Sequence, residues 1–362
     1  MNKKLVAAAL GLAFAAPVFA DSSNVTLYGR IHQVLDHQST DTAGAESGGN
    51  FAIEDASSRL GVRGVEDLGG GLSAIFAYEF GVDTDTVNTG ATNMSTRHAY
   101  LGLKGSYGLF VIGSQDGGND SQAPLYNQAS LIGSVSNNGG PLTTVGSSVD
   151  GTGQAITRDQ RVGNSFGYAG NFAGVQINAR HALQDGTNDA ANNNGAALKE
   201  NNVRSTEIAA TYKVGALTIG GGLQSFDAQQ VTQNALDVST DIERVVQGVA
   251  SYNFGSFTLG GLVAQKSLYA ANANGEDSNT EYAISGTLPL SANSGVFGIY
   301  ADAERNDLAA ASDITQAQIA YYYDFSKRTR TYVGYNRLNT EVKATGVETD
   351  QDNFTIGLRH NF

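Results

Sequence analysis

The chain has 362 residues, with 35 Asp and Glu against 22 Lys and Arg, 45 glycines, 16 tyrosines, four prolines and neither cysteine nor tryptophan. The missing cysteine removes any disulfide framework or thiolate metal site, and an acidic balance without clustered Lys and Arg disfavours nucleic acid as a partner. Abundant glycine and tyrosine, with no linker or composition break, favour many strands and turns over the two soluble domains that this length would suggest.

Residues 1–20 read as a secretory signal peptide. MNKK supplies a positive start, LVAAALGLAFAA an apolar run, and VFA the small residues before an expected cut between Ala20 and Asp21. The remaining domain, 21–362, keeps 20 basic and 35 acidic side chains. Nothing in it approaches the run of about 18 apolar residues that a membrane helix needs.

Alternating apolar and polar segments then follow one another, each the signature of a strand with two unlike faces. Eight are predicted at 24–36, 57–65, 72–82, 94–105, 108–115, 158–169, 174–184 and 203–214. Eight more are predicted at 216–226, 241–253, 256–268, 280–288, 295–304, 314–325, 329–339 and 353–362. Most have the length needed to cross a bilayer at a tilt, roughly 9–11 residues.

The connections between them alternate in length. EDLGGG, SYG, the AGNFA corner, VGA, FGS, PLSANS and SKR are tight. Residues 37–56, 83–93, 116–157, 185–202, 227–240, 269–279, 305–313 and 340–352 are longer and rich in Asn, Asp, Gly and Ser. A transmembrane barrel has this asymmetry, with short periplasmic turns, long external loops and an even number of strands. Tyr168, Phe172, Tyr212, Tyr252, Phe254, Phe257, Tyr322 and Phe325 gather near the short turns, where an interfacial aromatic girdle belongs. A soluble sandwich also draws on alternating aromatics but does not explain two classes of loop. The prediction is an all-β, 16-stranded antiparallel transmembrane barrel. Its final segment, FTIGLRHNF, pairs with NVTLYGRIH near the start, so that no edge is left open.

Several stretches also resemble a known family. NVTLYGRI, SRLGVRGVEDLGGGLSAIFAYEF, TRHAYLGLKGSYGLFVIGSQD, RVGNSFGY and the terminal Phe are similar to the general diffusion porins of Gram-negative outer membranes, of the neisserial and betaproteobacterial kind. The resemblance spans 21–362, is strongest over 24–116 and at the end, and is weak in the external loops. It implies a homotrimer embedded in outer-membrane lipid and lipopolysaccharide, each barrel passing small hydrophilic solutes and ions. It further implies a pore narrowed by the third external loop, no cofactor, and recognition of Phe362 by the barrel assembly machinery.

A 16-stranded barrel is too wide for side chains to fill, and its selectivity follows from pore size and lining charge. Arg30 shares parity with Thr26 and Tyr28, opposite Val25, Leu27 and Ile31, so it should face the lumen. Arg59 and Arg63 alternate against Leu60 and Val62, and Arg97 shares the parity of Ala99, opposite His98 and Tyr100. A lipid-facing Arg near mid-membrane would cost about 2–4 kcal/mol, which favours the inward assignment. The resemblance places Arg30, Arg59 and Arg97 in the basic wall of the family's constriction. Arg161 is expected to join them from the sixth strand, with Arg63 and Arg158 as weaker members. Each alone could equally be a solvated charge paired with a neighbouring acid. Asp116 and Asp120, at the start of the longest connection, are the expected acidic face.

Other motifs carry less. Gly163-Asn164-Ser165-Phe166-Gly167 fits GxSxG, but that motif needs a sharp strand-to-helix turn and here lies within an alternating strand. The five histidines are scattered without metal spacing. His32 is read as luminal, and His98 and His360 as sharing the lipid-facing parity. A barrel hydrolase, an adhesin with an acidic loop surface and a substrate-selective channel are the alternatives to simple diffusion. The hydrolase lacks any assembled catalytic cluster, and the adhesin would tolerate a plugged lumen, which conductance would reveal.

Overall fold

The computed structural model describes residues 24–84, 94–116, 125, 131, 161–183, 204–226, 242–268, 278–306 and 311–362. In chain order the strands are β1 (Asn24–Thr42), β2 (Ala45–Asp55), β3 (Arg59–Gly69), β4 (Leu72–Val82), β5 (Met94–Gly105), β6 (Gly108–Asp116), β7 (Arg161–Phe172) and β8 (Val175–Ala182). They continue as β9 (Ser205–Val214), β10 (Leu217–Phe226), β11 (Ile242–Asn253), β12 (Thr258–Leu268), β13 (Ser278–Pro289), β14 (Ser294–Arg305), β15 (Ser312–Asp324), β16 (Thr329–Val342) and β17 (Val347–Asn361). Every pairing is antiparallel, consecutive strands pair except β2 and β3, which both pair with β1, and β17 returns to β1.

Seventeen strands occupy sixteen positions in the wall. The lower part of β1, Asn24–Arg30, pairs with β3, while its upper part, Gln33–Thr42, pairs with β2. β2 and β3 are therefore one descending strand broken at Ala56–Ser58. The predicted loop 37–56 is instead a hairpin, closed by Ala43 and Gly44 at φ 52° and 85°. Both central residues have positive φ, as the tightest hairpin turns require. The predicted loop 340–352 is likewise a hairpin, with Val342 opposite Val347. Polar residues on both faces are stable in strands wherever both faces meet water, so alternation is no guide there.

Within the wall the alternation is plain. On β1, Val25, Leu27, Ile31 and Leu35 are exposed outward, while His32, Val34 and Asp36 are buried on the inner face. Where the short turns were expected, aromatic rings cluster: Tyr168 with Phe172, and Tyr252 with Phe254 and Phe257. One member of the predicted girdle is misassigned. Tyr322 points inward and carries the Arg330 guanidinium 4.2 Å above its ring, whereas its neighbour Tyr323 packs against Phe325 on the outside.

The ring closes on a double hydrogen bond. Gly29 N–H donates to the Phe362 carbonyl at 3.1 Å, and Phe362 N–H donates to the Gly29 carbonyl at 3.0 Å. The Phe362 ring lies over Gly29, where a Cβ would meet it at 2.3 Å. Gly29→Ala should therefore displace the terminal ring and cost about 1–3 kcal/mol. Gly248→Ala, whose added Cβ meets nothing closer than 3.6 Å, should cost far less. The check is the temperature at which each variant loses its folded mobility on a gel; equal temperatures would mean that the ring contributes nothing to closure.

Candidate functional site

The inner face of β4 carries Ile75, Ala77 and Glu79, with Phe76 and Tyr78 outward. Glu79 is 3 % exposed, and an isolated carboxylate there would be costly. Four neighbours resolve the cost. Arg97 Nε donates to Oε1 at 2.7 Å, Arg59 Nη1 lies at 3.7 Å and His98 Nε2 at 3.6 Å from the same oxygen. The Tyr28 hydroxyl donates to the carboxylate as well. Tyr28 reaches it across Gly61, which leaves room for the ring.

Arg97 reaches the lumen by a route that parity did not foresee. Between β4 and β5 the register shifts, with Glu79 opposite His98 and Phe80 opposite Thr96. Arg97 is the extra residue of a β-bulge, which re-aims side chains locally. Arg97 and His98 thus both turn toward Glu79. Below the bulge, Tyr100 lies opposite the inward Ala77, and Ala99 lies opposite the outward Tyr78. Arg97 faces inward as expected, but Ala99 does not share its side, and His98 is luminal rather than lipid-facing. His360 does lie outside, bonded to Thr329.

Arg59 is set by the break between β2 and β3. The Asp55 carboxylate accepts from Ser57 and Ser58 N–H at 2.9 Å each, and Ser57 takes φ 78°. The Arg59 guanidinium then donates to the Ser57 carbonyl and hydroxyl. Arg30, directly opposite Arg59 across β1 and β3, donates to Asn361 at 2.9 Å and lies within electrostatic reach of Arg59, Arg97 and Arg359. Arg63 lies lower on the same face, 5.0 Å over the Tyr28 ring.

Arg359 is the member that sequence reading missed. It is 7 % exposed on the inner face of β17, opposite His32 on β1 and Arg330 on β16. The signal was available in FTIGLRHNF, where Arg359 falls on the polar parity. Arg330 continues the row, tied to Asp324 by two bonds of 2.7 and 2.8 Å. Positive charge therefore runs from β16 through β17, β1 and β3 to β5, offset by Asp324 beside Arg330, by buried Asp36 on β1 and by Glu79 on β4.

On the far side of the ring, one residue of the longest connection is held inside the barrel. Leu125 is fully buried; its N–H donates to Glu207 Oε1 at 2.6 Å, and its carbonyl accepts from Gln247 Nε2 at 2.9 Å. Arg180 Nη2 donates to the other Glu207 oxygen at 2.6 Å. Gly222 leaves space for the leucine, since a Cβ there would meet Leu125 Cδ1 at 2.8 Å. Leu131 packs against the same core. The third external loop is folded inward at these residues, as expected. Glu207, Gln247 and Gly222 were not singled out in the sequence.

Asp116 is the last residue of β6, and its register partner is Arg161, the first of β7, so their backbones lie side by side. The side chains of Asp116 and Arg161, together with Asp120 and Arg158, lie outside the described residues, as does the segment 1–20. Ser165 of the GxSxG match sits on β7 beside a bulge, with its hydroxyl donating to the Gly113 carbonyl at 2.9 Å. It is on no strand-to-helix turn. Among the described residues no group of three or more metal-ligating side chains converges.

The comparisons with known proteins agree with this architecture. A profile described as Gram-negative porin matches residues 6–362. Outer membrane porin protein 32 of Delftia acidovorans is 29 % identical over 376 aligned residues, covering both chains fully. Major outer membrane protein P.IB of Neisseria gonorrhoeae is 25 % identical over 377, again with full coverage of both. The solved anion-selective porin from Comamonas acidovorans matches with a TM-score of 0.72 at 25 % identity, covering 94 % of this chain and all of that one. A Salmonella typhi OmpF structure shares the fold, with a TM-score of 0.66 at 14 % identity, covering 95 % of this chain and 99 % of that one.

Proposed function

The chain belongs to the Gram-negative porin family, and from that membership we infer a passive outer-membrane channel whose basic wall favours anions. The observation that carries the preference is the row of Arg30, Arg59, Arg97 and Arg359 inside a closed barrel, with Glu79 the buried carboxylate bonded among them. Arg63 extends the wall toward the short-turn end, and Arg161, Asp116 and Asp120 remain its proposed partners around the third loop. Charges lining a channel with low-dielectric walls focus their field on a passing ion. The likeness to an anion-selective porin supports the sign. Reconstituted channels in a salt gradient should show a reversal potential displaced toward the anion; displacement toward the cation would overturn the preference and leave the channel.

The assembled form is a homotrimer in this proposal, seated among outer-membrane lipid and lipopolysaccharide after removal of residues 1–20. Its support is the resemblance together with a broad apolar exterior. The unheated protein should run as a trimer in SDS and as a monomer after boiling. Monomeric mobility in both lanes would count against it.

Phe362 is proposed to serve as the assembly signal read by the barrel assembly machinery. Removing it deletes one ring and two backbone hydrogen bonds, a modest loss for a sheet with more than a dozen ladders. If its role is recognition, the deletion should accumulate misassembled in the periplasm while refolding normally in detergent. Normal outer-membrane levels would leave the ring only a packing role.

A further inference from the structure

We propose that His98 makes the charge of the basic wall dependent on protons, so that anion preference increases as the medium is acidified. This rests on the wall being the selective part of the pore. The bulge puts His98 in the lumen, with Nε2 at 3.6 Å from Glu79 Oε1 and a side chain only 12 % exposed. Histidine is the side chain that ordinarily changes charge between pH 5 and 8, whereas the arginines stay charged throughout.

The groups facing His98 set the sign. Its own strand offers Arg97, immediately before it, and Tyr100, whose ring meets the imidazole edge-on at 6.1 Å. From β4 comes Glu79, from β3 Arg59 at 3.7 Å from that same carboxylate, and from β1 Tyr28. β6 pairs with β5 as far as Ala99–Ser114, and the side chains of Gln115 and Asp116 that follow lie outside the described residues. Neutral His98 leaves Glu79 to offset part of the arginine charge. Protonated His98 supplies a further cation at the same oxygen, and the wall gains one full positive charge. A unit charge about 6 Å from the path of an ion changes its partition about threefold even at the dielectric of bulk water.

The experiment measures reversal potential at low salt between pH 8 and pH 5 for the wild type, His98→Gln and His98→Arg. In the wild type the anion-to-cation permeability ratio should increase about tenfold on acidification, a threefold gain for the anion multiplied by a threefold loss for the cation. His98→Gln should lose that step, and His98→Arg should sit at the high ratio at both pH values. Any response from acids remote from His98 persists in all three channels, so it cannot imitate the difference. An unchanged pH response in His98→Gln would overturn the proposal. Arg59→Ala with Arg97→Ala serves as the companion measurement. If that double variant alters selectivity while His98→Gln does not, only the histidine inference falls; if neither acts, the wall itself has been misplaced. His98→Arg keeps the test decisive should the glutamine variant insert poorly, because a pH response equal to the wild type's in the arginine channel would also refute the proposal.

Discussion

Replacing Arg59 and Arg97 together by alanine should move the reversal potential in a salt gradient strongly toward cations, with conductance unchanged or higher. One unit charge 8 Å from a passing ion contributes about 0.5 kcal/mol in bulk water and about 2 kcal/mol at an effective dielectric of 20. Two such charges change the partition of each ion about fivefold, in opposite directions, and so the permeability ratio about thirtyfold at the lower figure alone. Glu79 adds to the effect, because it loses the partners at 2.7 and 3.7 Å. Arg30→Ala with Arg359→Ala tests the field of the wall at the seam of the barrel. Neutralising Asp116 and Asp120 should move the potential the opposite way. Asp350 and Asp352 are held on the external rim, the former by Arg337 at 2.6 Å and the latter by the Tyr335 hydroxyl, so their neutralisation should matter less. All the shifts should shrink from about 0.1 M to 1 M salt, as the screening length falls from about 10 Å to 3 Å. An arginine pair without effect at low salt would place the selective site on other residues.

Glu207→Ala should release the third loop from the wall and raise single-channel conductance with added flicker. The carboxylate is bonded at 2.6 Å both to Arg180 and to the Leu125 N–H, and it is almost fully buried. The loop then loses its hydrogen bond to a charged group, about 1.5–3 kcal/mol, enough to shift a docking equilibrium by one to two orders of magnitude at about 1.4 kcal/mol per tenfold. Gly222→Val attacks the same socket sterically, since its Cβ would meet Leu125 Cδ1, Ala209 Cβ and the Ile208 carbonyl at 2.8 to 2.9 Å. Two unrelated chemical changes producing the same wider pore would identify the socket. If both variants conduct like the parent, the loop is held elsewhere.

The barrel was legible because lipid enforces alternation and because the connections fall into two length classes. Arg30, Arg59 and Arg63 were legible for the same reason, as charges on the polar parity of otherwise apolar strands. Arg97 was placed on the correct side for an incorrect reason. A bulge inserts one residue without any sequence mark, so parity carried through it reverses, and His98 was assigned outward. Glu79, in AYEF between two aromatics, and Glu207, in STEIAA, are single acids whose partners lie on other strands. Their roles appear only when register brings Arg97 or Leu125 to them. The hairpins at 37–56 and 340–352 were read as loops because, above the membrane, no buried face imposes a period.

The seam of the barrel has a consequence for when the wall can come into being. Arg30 stands on the earliest of the described strands and Arg359 on the latest, and Arg30 bonds Asn361, 331 positions away along the chain. A ribosome therefore makes one half of the charged surface long before the other. Any partly zipped sheet has only fragments of it, on opposite free edges. The field that sorts ions is complete only when the ring shuts, so an immature intermediate that leaks should leak without preference. Asn24 and Phe362 both lie on the short-turn side, so a brief linker could join them and new ends could be opened in another short turn. Such a circular permutant would bring the two halves together early in synthesis. Its mature selectivity should match that of the parent, while the cation leak of its half-built forms should be smaller.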